Sequence, residues 1–285
     1  MGSLWMLAAG AGFALMSVFV KMAAGQFSSH ELVFWRSLLG LAFIWLFLRL
    51  TGQGGEPLAS ANLRLQLRRG LVGFIALATF FYAVIELPMS VGITLNYTSP
   101  LFLALIMPWW LGERPRLLQY VAVALGFLGV VLLLRPWESP ADDLVAGLVG
   151  LFSGFMASLA YVHVRQLGKL GEPEWRTVFW FAAVASLGAG LFATADGWHP
   201  PTLDNAWLLL AVGLFATFGQ LAMTRAYRKG DTVVVASLAY STVVFGSLLD
   251  GLIWNQKLPA VAWAGMVLTV AAGVWAVVLN KKEPS

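Results

Sequence analysis

Apolar stretches of about 18 to 23 residues recur from one end of the chain to the other, broken by short polar turns. Each is long enough to cross a hydrocarbon layer of roughly 30 Å at about 1.5 Å of rise per helical residue. Lipid offers no water to backbone N–H and C=O groups, so runs of this kind fold as helices. The pattern predicts spans near 3–24, 31–50, 69–87, 89–111, 116–135, 144–166, 174–195, 205–227, 232–254 and 258–280. Connections are short, so consecutive helices are expected to be antiparallel neighbours. The fold class is an all-α polytopic membrane protein of ten transmembrane helices. The longest polar interruption runs from Thr51 to Leu67, and its second part, Leu63 to Arg68, reads equally as a short amphipathic helix on the membrane surface or as a solvated loop.

Composition supports this picture: a mean hydropathy of +0.79, 59% hydrophobic residues and 11% charged ones lie far from soluble averages. The first apolar stretch, Leu4 to Ala24, has no basic segment before it and is longer than a signal-peptide core, so it is expected to be a retained helix. Of the eighteen Lys and Arg residues, all but Lys21, Arg36, Arg135 and Lys257 fall on one side if the N-terminus is cytoplasmic. Positive charge stays on the cytoplasmic side during insertion, so both termini are expected there. In a bacterium this places the chain in the inner (plasma) membrane. Most of the thirteen tryptophans lie near span ends, where interfacial anchoring accounts for them; Trp35 and Trp180 do not fit that account as well.

Shifting the sequence on itself by about 143 to 145 positions aligns Val33-Phe34-Trp35 with Val178-Phe179-Trp180, Tyr97 with Tyr240, Phe102 with Phe245, Arg114 with Lys257 and Gly129 with Gly273. The expected units are therefore 1–137 and 142–282, with five spans each. Five is odd, so the second half begins on the opposite side of the membrane and the halves are inverted repeats around a central cavity. Inverted halves suit alternating access, because exchanging their conformations turns one side's opening into the other's.

The residues also resemble a known family. Phe80-Phe81-Tyr82-Ala83, Asn96-Tyr97-Thr98-Ser99-Pro100, the turn Leu111-Gly112-Glu113-Arg114-Pro115 and Gly126-x-x-Gly129-Val130 resemble the EamA-type repeat of the drug/metabolite transporter superfamily. The second half, with Arg225 to Asp231 and Tyr240-Ser241-Thr242, is similar but carries Asn255-Gln256-Lys257-Leu258-Pro259 where the first half has its Gly-Glu-Arg-Pro turn. Within the superfamily the chain is most similar to the YddG-type amino-acid exporters, which implies efflux of aromatic and other neutral amino acids.

Polar groups deep in a span face partner helices or a wet cavity. Pro100 has no N–H and so frees the carbonyl near residue 96, and the polar run Asn96 to Pro100 has its counterpart at Tyr240-Ser241-Thr242. Matching interruptions in two halves point to a transporter site, here expected between spans 3, 4, 8 and 9 and closed by spans 1 and 6. The candidate substrate contacts are Tyr82, Asn96, Tyr97, Ser99, His163, Trp180, Gln220, Tyr240 and Thr242, with Arg36, Glu86 and Pro100 in gating or structural roles. The tyrosines offer aromatic faces to an ammonium group; Asn96, Ser99, Thr242 and Gln220 offer hydrogen bonds to a carboxylate. The competing reading of each single hydroxyl is a bond that glues helices together. Arg36 is expected to pair with a nearby acid or to bind a carboxylate, and Gly150-x-x-x-Gly154 to let helices approach closely.

The absence of cysteine and the wide separation of His30, His163 and His199 leave no metal-ligand spacing, and there is no phosphate loop. No cofactor and no nucleic-acid partner are expected, and a monomer in the lipid bilayer is. A serine hydrolase using Ser153 or Ser158 with His163 is the enzymatic rival; it lacks a nucleophile motif. Nucleosides, nucleotide sugars and drugs are the rival cargoes. No chain of acids crosses the midplane, so proton coupling is not expected to be obligatory.

Overall fold

The computed structural model describes residues 4–50, 58–111, 117–138, 140–229, 235 and 238–279. Among them the helices are α1 (Trp5–Ala23), α2 (Ser29–Leu50), α3 (Leu63–Glu86), α4 (Met89–Asn96), α5 (Ser99–Leu111), α6 (Leu117–Leu134), α7 (Ala141–Lys169), α8 (Glu174–Asp196), α9 (Ala206–Lys229), α10 (Ser241–Trp254) and α11 (Ala260–Leu279). Six of them, α1, α2, α3, α7, α8 and α9, contain stretches long and apolar enough to cross a membrane; α6, α10 and α11 contain shorter apolar stretches. The expected fourth span, 89–111, is two helices, α4 and α5. Residues 232–234, 236 and 237 of the expected ninth span lie outside the described residues, as does the turn at Gly112 to Pro115.

Proline and glycine place the turns. Pro88, Pro140 and Pro173 stand immediately before α4, α7 and α8, where a missing N–H costs no helical bond. Gly25, Gly171 and Gly197 take positive φ of 84°, 78° and 91° in the turns after α1, α7 and α8, a conformation a side chain would resist. The segment Leu63 to Arg68 is neither a separate surface helix nor a loop. It is the opening of α3 itself, because Gln66 and Arg69 are buried and continue the helical stripe into the protein.

The helices pack in pairs: α1 on α9, α3 on α7, α6 on α11 and α2 on α8, with further contact of α3 with α8, α2 with α9, α1 with α10 and α7 with α4 and α5. The main core joins Phe81, Leu32, Met89, Ile93 and Leu95 from the first half to Phe181, Val212, Tyr240 and Met266 from the second. Below, the end of the molecule where α1 begins is the near face and the opposite end is the far face.

Candidate functional site

Two interruptions in the helices define the middle of the molecule. α4 stops at Asn96, Tyr97 and Thr98 turn, and α5 restarts at Ser99 with Pro100 in its first turn. The Thr98 hydroxyl donates to the Leu95 carbonyl at 2.6 Å, and the Thr98 carbonyl accepts from Leu101 N at 2.8 Å, so the break is stitched locally. On the other side Tyr240 precedes α10, and its carbonyl accepts from Val243 N at 3.0 Å. The two breaks meet: the hydroxyls of Tyr97 and Thr242 share a hydrogen bond of 2.9 Å, and the rings of Tyr97 and Tyr240 lie 6.1 Å apart at 54°. Asn96 Nδ2 donates to Ser153 Oγ at 3.0 Å, which donates to the Gly150 carbonyl at 2.6 Å and so ties the first break to α7.

Glycines allow this proximity. A Cβ on Gly154 would collide with Thr98 Oγ1 and sit 2.7 Å from the Leu95 carbonyl oxygen; one on Gly10 would lie 2.5 Å from Ser241 Oγ and 3.1 Å from Thr242 N. Thus α7 crosses directly over the first break and α1 over the second. Gly273 on α11 admits the ring of Tyr240, whose Cζ would be 2.5 Å from an added Cβ. Gly150 likewise accepts Leu95 and Ala83, in keeping with close approach through the Gly150-x-x-x-Gly154 pair.

The remaining candidates are distributed. Ser99 and Thr242 are buried in the central region. Tyr82 is 36% exposed on α3 and has no hydrogen bond or ring contact with the central group. Gln220 is half-buried on α9. Trp180 donates through Nε1 to the Leu58 carbonyl at 3.1 Å and so fastens the segment before α3. His163, half-buried on α7, lies within reach of the charges of Arg69 and Arg68. Arg36 makes no ion pair among the described residues; its guanidinium stands 5.7 Å from the ring of Phe181 instead, because α2 packs against α8. Glu86 is exposed at the end of α3, where Lys21 feels its charge.

Asp250, not among the candidate residues picked out from the sequence, is 2% exposed and accepts from both Ser90 N at 3.0 Å and Ser90 Oγ at 2.7 Å. A carboxylate there satisfies the open first turn of α4 and favours its dipole. Lys21 joins the same region, donating to the Leu87 carbonyl and standing 5.9 Å from the ring of Trp254. Also on the far face, Glu31 accepts from Ser28 N at 2.7 Å and from His199 N at 2.6 Å, binding the loop after α8 to the start of α2. On the near face Ser60 and Asn62 donate to Glu172 at 2.5 and 3.0 Å, with Arg176 at 3.0 Å. Burial raises the Glu172 pKa, but these three donors outweigh it and hold the carboxyl below its ordinary 4.5.

Chemically, the centre is a group of hydroxyls, an amide and two aromatic rings, suited to binding polar groups reversibly. The serines of the hydrolase rival are engaged elsewhere: Ser153 and Ser158 donate to the carbonyls of Gly150 and Phe155, both at 2.6 Å on their own helix, rather than to His163.

The EamA-like transporter family model matches twice, over residues 1–135 and 144–279. The chain is 33% identical over 261 residues to a pseudopaline exporter of Pseudomonas aeruginosa, covering 91% of this chain and 90% of that one. It is 27% identical over 274 residues to a riboflavin transporter of Vibrio cholerae (94% and 90%), and 20% identical over 287 residues to an S-adenosylmethionine uptake transporter of Rickettsia bellii (99% and 94%). A solved crystal structure shares the fold at a TM-score of 0.68 and 18% identity, over 99% of this chain and 100% of the other.

Proposed function

We propose, because the chain belongs to the EamA-like transporter family, that this small-metabolite transporter exports its cargo by alternating access between two inverted halves, 1–137 and 142–282, of five spans each. The substrate sits where the two helix breaks meet. The observation that carries the reading is the contact of Tyr97 with Thr242 and Tyr240, each break being crossed by a glycine of another helix. An offset of about 144 positions relates Gly10 to Gly154 and also Thr98 to Thr242, so the halves mirror one another in contact as well as in sequence. The helix packing supports this, since α1 on α9 and α3 on α7 exchange when the halves exchange.

Neutral amino acids, the aromatic ones among them, are the cargo that central hydroxyls and tyrosine rings favour. Tyr97 and Tyr240 face the ammonium or the side chain, and Asn96, Ser99 and Thr242 bond the carboxylate. Single contacts of this kind contribute about 0.5 to 2 kcal/mol, which leaves the substrate free to depart. The pseudopaline exporter among the relatives supports export; the riboflavin and S-adenosylmethionine transporters show that cargo and direction vary among similar chains. The protein works as a monomer in a bacterial inner membrane, near face and both termini cytoplasmic. The Asp250–Ser90 tie and Lys21 hold the far side shut until the halves rock.

The test is efflux of labelled phenylalanine, methionine or threonine from liposomes holding the purified protein, with no ion gradient. Protein-dependent efflux that Tyr97→Ala or Tyr240→Ala abolishes in a folded variant is expected. Efflux that begins only when a proton gradient is imposed keeps the carrier and overturns gradient-independent transport. Absence of efflux in both conditions overturns the amino-acid reading.

A further inference from the structure

Two arginines lie buried in the protein with no carboxylate paired to them among the described residues. Arg36 on α2 and Arg69 on α3 are each 9% exposed, and neither appears in an ion pair among the described residues. Their guanidinium carbons stand 5.7 and 4.3 Å from the ring centroid of the same residue, Phe181 on α8. Arg36 Nε and both Nε and Nη1 of Arg69 have no hydrogen-bond partner. Gln66, three positions before Arg69 on the same helical stripe, is fully buried with both amide atoms unpartnered. His163 and Tyr161 on α7 lie within reach of the Arg69 charge.

Neither ordinary explanation of a membrane arginine fits. An arginine reaching for lipid phosphate points toward the nearer membrane surface. Arg69 lies near the start of α3 but runs the other way: its guanidinium occupies the space that a Cβ on Gly73, one turn deeper, would fill. Stacking on Phe181 offsets only part of what it costs to remove each charge from water. Two like charges facing one ring add repulsion. The site has cationic donors in excess, room made for the Arg69 guanidinium by Gly73, and no carboxylate among the described residues.

We propose that Arg36, Arg69 and Gln66 form a second substrate subsite, which seats an anionic group, a carboxylate, of the transported molecule between α2, α3, α7 and α8. The inference rests on the carrier reading above and deepens it: the preferred cargo carries a carboxylate beyond the zwitterion that the Tyr97 centre handles. A carboxylate between the two guanidinium groups receives the charge-assisted bonds they lack. It also bridges α2 and α3 to α8 across the two halves, so binding biases how they pack.

The test compares glutamate with glutamine, which match in shape and differ in charge, in counterflow into liposomes by the wild type, Arg36→Gln and Arg69→Gln, together with the Tm of each purified protein. The wild type is expected to prefer glutamate, and each substitution to reduce glutamate transport about tenfold or more, the loss of one charge-assisted bond, while glutamine transport changes little. Without substrate, the Tm of each variant stays level or rises, because an unpaired buried charge has gone. A lower Tm in both variants assigns the arginines to structure and overturns the subsite. Equal transport of both amino acids, unchanged by the substitutions, overturns it and leaves the carrier standing. If neither amino acid is carried, the amino-acid reading fails and the subsite is decided separately: citrate and succinate raise the wild-type Tm but not that of the variants, or they raise neither and the subsite falls.

Discussion

Replacing Gly154 by alanine tests whether the helix break and its crossing helix are as close as described. The added Cβ would collide with Thr98 Oγ1 and sit 2.7 Å from the Leu95 carbonyl oxygen and 3.1 Å from that of Asn96. The Thr98 hydroxyl can rotate, but the two carbonyls belong to backbone and cannot give way without moving the end of α4. Overpacking of this kind costs about 1 to 3 kcal/mol. Alanine in place of glycine in a helix otherwise gains about 0.5 to 1 kcal/mol, so the proper control is Gly40→Ala, where nothing lies within 4 Å of the new atom. The difference between the two variants isolates the clash. At about 2 to 4 °C per kcal/mol for a chain of this order, thermal unfolding in detergent should place Gly154→Ala several degrees below Gly40→Ala. Adding Thr98→Ala should recover only part of the gap, since the backbone contacts remain. Equal stability of the two glycine variants would refute the close crossing.

Tyr97→Phe removes the hydroxyl shared with Thr242 and is expected to cost about 1 kcal/mol in thermal unfolding, with a raised KM for efflux. Asp250→Ala strips the acceptor from Ser90 N and Oγ and should destabilise by about 1 to 3 kcal/mol, whereas Asp250→Asn, which keeps one acceptor, should lose less. Glu172 has its pKa depressed in the folded state, so its stabilising effect is present above the ordinary value of 4.5 and lost as pH falls below it through the folded pKa. A Tm series taken downward through that range should fall more steeply for the wild type than for Glu172→Gln.

The helices and the polar run at residues 96–100 were legible because both follow from single-chain physics, apolar length and a proline beside a run of hydroxyls, whereas the division of that span into two helices was not expected. The counterpart at Tyr240 was legible only through the repeat, which supplied a register that local pattern did not. Arg69 was missed for a definite reason. Counted among basic residues near a span end, it looks like a headgroup anchor; the direction in which its side chain runs is decided by Gly73 and Phe181, which are three-dimensional neighbours. The polar stripe Gln66-x-x-Arg69-x-x-x-Gly73 at helical spacing was the available signal. Asp250 was passed over similarly, because its place near a span end does not disclose that the open first turn of α4 faces it. Trp180, singled out as an unusual tryptophan, serves the backbone at Leu58.

The central claim, that the two breaks line a site reached alternately from each side, can be tested with one thiol. The chain contains no cysteine, so Ser99→Cys, a nearly isosteric change at the first residue of α5, gives a single reporter in oriented liposomes. An impermeant thiol reagent should label it from either face in separate experiments, and transported substrate should slow labelling from both. A thiol that reacts from neither face, or from one face regardless of substrate, would mean that these hydroxyls are buried packing and would contradict the account.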